Sequence, residues 1–243
     1  MYTLALISDI HSNLTALEAV LDDMKINYPD IKEIYFLGDL CGYGPDPKEC
    51  TELILNNKSI TKLVIGNHDH YIGQGITPPP TNPLAVASIN WQMTQIPLEL
   101  RWEIAQLPQQ ITTRHLDYSQ EIYLVHGSPQ YPLTEYIHAN TKKQEMLFDY
   151  MMNSNIDILI LGHTHIPFIQ KKIIHSDKKL MMINPGSIGQ PRDGNPKASY
   201  MVIDLSNMGV KILRVDYLIE SVVNRIKAYG LPKLLGERLY LGK

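Results

Sequence analysis

Polar side chains that can bind metal follow five short apolar runs of the sequence. They are Asp9 and His11 after the first run, Asp39 after the second, Asn67, His68 and Asp69 after the third, His126 after the fourth, and His163 and His165 after the fifth. Imidazole nitrogen combined with carboxylate and amide oxygen suits Mn, Fe, Zn or Ni better than Ca or Mg alone. The pattern therefore predicts metal-assisted chemistry.

The number of candidate ligands indicates two divalent ions rather than one. The seven candidates are Asp9, His11, Asp39, Asn67, His126, His163 and His165. One tetrahedral or octahedral ion with open positions would not take so many from a protein. Asp39 lies between the two groups in sequence and is the natural bridging carboxylate. A pair of ions about 3.5–4 Å apart polarises phosphoryl oxygens and supplies hydroxide at neutral pH.

Alternating strand and helix patterns position these residues. The chain begins as β-α-β-α-β, with strands predicted at 3–8, 33–37 and 61–65 and helices at about 14–24 and 48–55. Three hairpins are predicted later: 111–116 with 121–125, 168–174 with 180–184, and 200–205 with 210–215. Their turns fall at 117–119, 176–177 and 207–209. A strand at 156–161 and helices at 142–153 and 219–229 complete the pattern. Because ligands of α/β sheets gather where strands end, the five polar groups should converge.

A single domain over residues 1–243 is expected, with residues 73–108 as a helical cap or insertion. Three consecutive prolines make 73–83 a loop, and helices are predicted at 85–95 and 98–107. Trp91 and Trp102 in these helices are expected to be core residues. The apolar tail, residues 231–243, packs either on the body or on a second subunit, which makes a homodimer plausible.

Composition excludes several classes of protein. The 243 residues hold 22 Lys and Arg against 25 Asp and Glu, and this net charge of −3 disfavours nucleic acid as a partner. Two cysteines, Cys41 and Cys50, do not make a disulfide framework. The first apolar run reaches Asp9 before a signal core is complete, and no run approaches the roughly 20 residues of a membrane span. A cytoplasmic location without membrane association is expected.

The five polar blocks, taken in order, resemble those of the calcineurin-like metallophosphoesterases. The blocks are Asp-x-His from Asp9, Gly-Asp at Asp39, Gly-Asn-His-Asp around Asn67, His-Gly at His126 and Gly-His-Thr-His ending at His165. The sequence Asn-Pro-Gly-Ser at 184–187 extends the match. The resemblance implies an α+β fold, a four-layer α/β/β/α sandwich of two mixed sheets.

The resemblance also implies a role for each residue. One ion would be held by Asp9, His11, Asp39 and His165, and the other by Asp39, Asn67, His126 and His163. His68 matches the family's non-ligand histidine, which protonates the leaving alkoxide or stabilises the transferring phosphoryl group. Arg192 follows the Asn-Pro-Gly-Ser block and is a candidate for substrate binding, although a solvated loop arginine fits the sequence equally well. Asn13 either caps the first helix or reaches the site, and capping is favoured.

Departures from the family pattern narrow the predicted function. The protein Ser/Thr phosphatase branch carries a second aspartate and an arginine after the bridging aspartate, whereas this chain has Leu-Cys-Gly-Tyr-Gly at 40–44. The small bacterial-type phosphodiesterase branch is therefore favoured. Whether Asp69 orients His68 is open.

The predicted function is a metal-dependent phosphoric ester hydrolase, a phosphodiesterase in which a bridging hydroxide attacks phosphorus. Its substrate is a small molecule or nucleotide, and manganese is among the expected metals. The enzymatic alternatives are a diadenosine polyphosphate hydrolase and a phosphomonoesterase. A non-catalytic metal-binding scaffold is the alternative from another class.

Overall fold

Two mixed five-stranded sheets form the framework of the computed structural model, which describes residues 2–115, 118–174 and 178–243. The strands are β1 (Thr3–Ile7), β2 (Ile31–Phe36), β3 (Ile60–Leu63), β4 (Gln110–Arg114), β5 (Glu121–Val125), β6 (Ile158–Ile160), β7 (Phe168–Ile173), β8 (Lys179–Asn184), β9 (Ala198–Asp204) and β10 (Gly209–Val215). The first sheet has the order β10-β9-β1-β2-β3, and the second has the order β4-β5-β6-β8-β7.

Helices connect and cover these strands. They are α1 (Leu14–Asn27), α2 (Pro47–Leu55), α3 (Asn67–Gln74), α4 (Pro83–Gln95), α5 (Leu98–Ala105), α6 (Lys142–Asn153), α7 (Ile219–Ala228) and α8 (Leu234–Glu237), with a 3₁₀ turn at Arg238–Leu241. Helix α3 is an addition to the predicted pattern, and its first turn, Asn67 to His70, contains no apolar residue that would reveal it. None of the helices in the described part of the chain has both the length and the apolar character needed to span a membrane.

The parallel strands bring their carboxyl ends together in each sheet. Strand β2 lies between β1 and β3 and is parallel to both, and β6 has the same relation to β5 and β8. The three predicted hairpins are confirmed as the antiparallel pairs β4 with β5, β7 with β8, and β9 with β10. Of their predicted turns, Asp117, Ser176 and Asp177 lie outside the described residues.

Alternation along the strands builds the layers. Leu4 and Leu6 of β1 point into the core between the sheets, where they share a cluster with Leu124 of the second sheet. Ala5 and Ile7 point to the opposite face and pack with the helices beneath the first sheet. On the outer face of the second sheet, α6 packs through residues of a separate cluster. The predicted four-layer α/β/β/α sandwich is confirmed.

The segment predicted as an insertion packs against the body on one side. Ile89 and Ile104 are fully buried in the helical core beneath the first sheet. The expectation for the two tryptophans is only partly right, since Trp91 is half-buried against Tyr229 while Trp102 is 66% exposed. Trp102 shares its helix face with Leu98, which is 72% exposed, so this apolar pair faces solvent and the core prediction for Trp102 is wrong.

The carboxyl-terminal tail folds back onto the body. Leu235 and Leu239 are buried in a cluster with Val222 of α7 and with Tyr43. The guanidinium of Arg225 donates to both carboxylate oxygens of Asp46, at 2.7 and 2.9 Å, and ties α7 to the start of α2. Of the two arrangements predicted for the tail, the structure has packing on the body.

Candidate metal centre

The carboxyl ends of β1, β2, β5 and β6 deliver two separate groups of buried ligand atoms. Asp9, His11 and His165 form one group, and the other contains Asp39, His126 and His163. A third group shares two of these residues and contains His11, Asp39 and His68. Within each group the ligand atoms lie within 4.8 Å of one another. The parallel ends of both sheets therefore meet at one place, as the order of the sequence blocks requires.

The Nε2 atoms of His11 and His165 point their lone pairs at each other. The Nδ1 of His11 lies 2.8 Å from the carbonyl oxygen of Cys41, and the Nδ1 of His165 lies 2.5 Å from that of Gln190. A carbonyl oxygen only accepts, so each ring carries its hydrogen on Nδ1. Burial holds the pKa of both imidazoles well below the ordinary value, and both rings are neutral. Their Nε2 atoms, 3.0 Å apart, are therefore two acceptors without a shared hydrogen.

His126 and His163 form a similar pair in the second group. His126 donates from Nδ1 to the carbonyl of Leu37 at 2.7 Å, and its Nε2 lies 3.1 Å from Nδ1 of His163. Burial lowers the pKa of His126, but the carboxylate of Asp39 outweighs burial and raises it to about 9. Burial, followed by the charge of His126, lowers the pKa of His163 to about 3. The negative charge of Asp39 thus stabilises a positive charge at the position of His126.

Asp39 lies between the two groups. Its Oδ2 is 3.3 Å from Nε2 of His126 and 3.7 Å from Nε2 of His11, while Oδ1 accepts the backbone N–H of His68 at 2.9 Å. Burial raises the pKa of Asp39, but His126 and His68 outweigh it and hold the pKa well below its usual range. A charged carboxylate directed at both groups has the position that a bridging ligand needs.

Two buried oxygens of the predicted ligand set have no hydrogen-bond partner among the described residues. They are Oδ1 of Asp9 and Oδ1 of Asn67. The other oxygen of Asp9 accepts from Ser8 Oγ at 2.6 Å and from the N–H of His163 at 3.1 Å. Burial raises the pKa of Asp9 to about 7. Because a buried unsatisfied oxygen costs free energy, these two atoms fit a cation that takes their lone pairs.

The backbone conformation of the predicted ligands also indicates a functional site. Five of the seven predicted ligands have a left-handed φ, namely Asp9 (53°), His11 (48°), Asp39 (57°), His163 (69°) and His165 (59°). Non-glycine residues rarely adopt this conformation, and such residues concentrate at functional sites. Hydrogen bonds between the loops, such as Asp9 N–H to Gly38 O at 2.9 Å, hold the strained turns in place.

His68 has a ring nitrogen within 4.8 Å of ligand atoms of His11 and Asp39, and no carboxylate of the described residues hydrogen-bonds to its Nδ1. Its Nδ1 is buried and has no partner among the described residues. The ring packs on Gly42, where a Cβ atom would be 2.1 Å from Nδ1. Burial lowers the pKa of His68 to about 4. Asp69 instead accepts the backbone N–H groups of Cys41 at 2.9 Å and Gly66 at 3.1 Å, so it fixes the two loops and does not hydrogen-bond to His68.

Arg192 reaches the site, and Asn13 caps α1 as predicted. The guanidinium of Arg192 donates to Gln190 Oε1 at 3.0 Å and lies 5.6 Å from the ring centre of Tyr43. Its charge helps to lower the pKa of His165. Asn13 accepts the N–H of Ala16 at 3.1 Å, as an N-cap should.

Three aromatic or basic neighbours of the site were not among the predicted site residues. Tyr43 is a buried, packed ring that also lies 4.8 Å from the His11 ring centre. Tyr136 stacks on His163 at 3.9 Å. Arg238 lies 5.8 Å from the Tyr43 ring centre and comes from the tail. Only Tyr43 has a sequence signal, since it follows Asp39 by four positions; the other two depend on how the loop after β5 and the tail pack.

Comparison with known proteins agrees with this geometry. Residues 2–208 match the model of the calcineurin-like phosphoesterase superfamily domain. The uncharacterized protein MJ0912 of Methanocaldococcus jannaschii is 37% identical over 99% of this chain and 98% of its own length. Phosphodiesterase YfcE of Escherichia coli K12 is 25% identical over 91% of this chain and 98% of its own length. The crystal structure of a metallophosphoesterase from Sphaerobacter thermophilus has a TM-score of 0.81 at 32% identity and covers 99% of this chain and 100% of its own.

The fold and the buried donor set thus define a phosphoesterase of the metallo-dependent type. The chain belongs to the calcineurin-like phosphoesterase superfamily, and it is a hydrolase that acts on phosphoester bonds.

Proposed function

We propose that the chain is a phosphodiesterase with a centre for two divalent cations. The observation that carries the proposal is the position of Asp39, whose Oδ2 is directed at both histidine groups from 3.3 and 3.7 Å. Asp9, His11, Asp39 and His165 would hold one cation, and Asp39, Asn67, His126 and His163 the other. The proposed ions are manganese, iron, zinc or nickel, because the donor set fits each of them.

The chemistry divides between the cations and the chain's own residues. When bound, two such cations polarise the phosphoryl oxygens and provide hydroxide at neutral pH. The Nδ1 bonds of His11, His126 and His165 to backbone carbonyls fix the ring orientations and leave the opposite nitrogens as ligands. His68 lies beside this centre, 4.9 Å from the His11 ring centre, where it would donate a hydrogen bond or a proton to the leaving oxygen.

A small phosphodiester is the proposed substrate. The chain lacks the aspartate and arginine that the Ser/Thr phosphatase branch carries after the bridging aspartate, and the net charge of −3 provides no general attraction for nucleic acid. Residues 73–108 would act as a cap on the substrate side. In support, Gln92 of α4 holds the loop after Asp39 by accepting from Gly42 N–H at 2.7 Å and donating to Gly44 O at 2.8 Å.

Hydrolysis by metal-stripped protein tests the proposal. Bis(p-nitrophenyl) phosphate, p-nitrophenyl phosphate and diadenosine tetraphosphate are offered without metal and with Mn, Fe, Zn or Ni. The variant His68→Gln and the control His138→Gln, whose ring is exposed, are assayed alongside. We expect metal-dependent turnover with diester preferred, a loss of about 10²–10⁴ in kcat for His68→Gln, and wild-type kinetics for the control.

Other outcomes would contradict the proposed phosphodiesterase activity. Preference for the monoester would show a phosphomonoesterase, and turnover of diadenosine tetraphosphate alone would show a diadenosine polyphosphate hydrolase. Protein that binds metal but hydrolyses none of these with Mn, Fe, Zn or Ni would contradict an active centre of this kind.

A further inference from the structure

Two arginines from different parts of the chain flank one tyrosine at the rim of the centre. The guanidinium carbons of Arg192 and Arg238 lie 5.6 and 5.8 Å from the ring centre of Tyr43. That ring is 4.8 Å from the ring of His11 and 4.7 Å from the ring of His68. Both positive charges therefore lie next to the candidate metal and catalytic residues, and Tyr43 is the shared platform.

Neither guanidinium is neutralised by an aspartate or glutamate side chain of the described residues. Arg192 donates to the neutral amide of Gln190, and its Nε is buried without a partner. Arg238 donates to an oxygen of Lys243, the last residue of the chain, at 2.6 Å. By contrast, Arg225 pairs with Asp46. Among the described residues, Arg192 thus lacks the carboxylate partner that this other partly buried arginine has.

The two charges also act on each other. Burial, followed by the charge of Arg192, lowers the pKa of Arg238. Two positive charges in a partly buried place repel each other, and an anion between them or beside them offsets this repulsion. A guanidinium presents its donors in a planar fork that matches phosphate, and partial desolvation strengthens such charge-assisted hydrogen bonds.

The charge balance of the centre leaves both arginines available. Two divalent cations and the carboxylates of Asp9 and Asp39 carry a net charge of about +2 by formal count. A phosphodiester monoanion and one hydroxide would balance that charge alone. The two guanidiniums would then be available to bind a part of the substrate that is not being cleaved.

We propose that Arg238 and Arg192 form a second anion subsite, which selects phosphoesters that carry an additional phosphate group near the scissile one. This inference rests on the proposed function, because that function places the scissile phosphate at the cations that Asp9 and Asp39 would hold. Arg238 comes from the 3₁₀ turn that Leu235 and Leu239 hold against the body. The tail is therefore part of the substrate site.

Calorimetric binding tests the subsite without requiring turnover. Mn²⁺-loaded protein is titrated with AMP, ADP and adenosine 3′,5′-bisphosphate. The wild type is expected to bind at least one of the two ligands with a second phosphate about tenfold or more tightly than AMP. Arg238→Gln should remove most of that ratio, and Arg238→Lys, which keeps the charge, should retain part of it. Arg114→Gln, a surface arginine of the second sheet, is the control and should keep the full ratio.

Three results would overturn the proposal. They are an absence of any gain over AMP in the wild type, a gain that survives in Arg238→Gln, and a loss of AMP affinity in Arg238→Gln as large as the loss for the second-phosphate ligands. Thermal unfolding of each variant shows that it is folded. Hydrolysis of bis(p-nitrophenyl) phosphate by the wild type separates the two proposals, since its absence would contradict the phosphodiesterase while leaving the measured affinity ratio intact.

Discussion

The Nε2 atoms of His11 and His165 lie 3.0 Å apart, although each ring already donates its Nδ1 hydrogen to a backbone carbonyl. Two neutral imidazoles cannot form a hydrogen bond through two lone pairs. The contact between His126 and His163 differs, because Asp39 raises the pKa of His126 to about 9 and its Nε2, 3.1 Å from Nδ1 of His163, then has a hydrogen to donate. A bound cation would convert the repulsive contact between His11 and His165 into ligand bonds, so stability and metal binding should be linked.

Metal removal should therefore destabilise the protein. A ligand at about 100 times its Kd stabilises the folded state by about 2.7 kcal/mol. For a domain of this size, that corresponds to a rise in Tm of roughly 5–10 °C. Thermal unfolding with EDTA and with Mn²⁺ measures the shift. His165→Ala should lose most of the rise in Tm that Mn²⁺ causes, and His138→Gln should keep it. A Tm that does not change with EDTA would contradict the link between metal binding and stability.

Gly42→Ala should displace His68. A Cβ atom there would lie 2.1 Å from Nδ1 of His68, and φ at Gly42 is +95°. Gly230→Ala is a matched control, because its φ is +68° and nothing lies within 4 Å of the added atom. The control should cost only the conformational penalty of about 1 kcal/mol. We expect Gly42→Ala to lose at least about tenfold in kcat beyond the control, and equal kinetics in the two variants would show that His68 does not contribute through this position.

Asp69→Asn should lower the free energy of unfolding and should affect kcat less. The carboxylate accepts N–H groups of Cys41 and Gly66, and an amide would direct a donor at one of them. Leaving one of these buried groups unsatisfied costs about 1–3 kcal/mol in the free energy of unfolding. Urea denaturation measures this loss, and kcat is compared with His68→Gln. A kcat loss as large as that of His68→Gln, without loss of stability, would instead support a direct role for Asp69 in catalysis.

Leu124→Ala should destabilise the core between the sheets. Leu124 is fully buried on β5, two residues before His126, and packs between the two sheets. Truncation of such a leucine costs about 2–5 kcal/mol. Ile173→Ala, at a side chain that is 68% exposed, should change the free energy of unfolding by less than about 0.5 kcal/mol. Similar losses for the two variants would contradict the description of the layers.

The sequence predicted most of the framework because its signals are local. The alternation of Leu4 and Leu6 with Ala5 and Ile7 identifies a strand with two buried faces, and the polar residues after such strands mark one edge of each sheet. The order of those residues was then enough to propose seven ligands. The structure brings six of them into two groups and leaves the oxygen of the seventh, Asn67, without a protein partner among the described residues.

The remaining features depend on packing that no local pattern encodes. Leu98 and Trp102 have the spacing of a buried stripe, yet this side of α5 faces solvent because Ile104 takes the core position. Arg238 is nearly 200 positions from Tyr43 and reaches it only because Leu235 and Leu239 anchor the tail. Tyr136 reaches His163 through the course of the loop after β5.

The most direct test of a two-cation centre is a count of bound metal. Protein loaded with Mn²⁺ and passed through gel filtration is analysed by inductively coupled plasma mass spectrometry, together with Asp39→Asn and the exposed control Asp149→Asn. The account predicts about two ions per wild-type and control chain, and fewer than about one per chain when the bridging carboxylate is lost. One ion or none in the wild type, or two retained in Asp39→Asn, would contradict it.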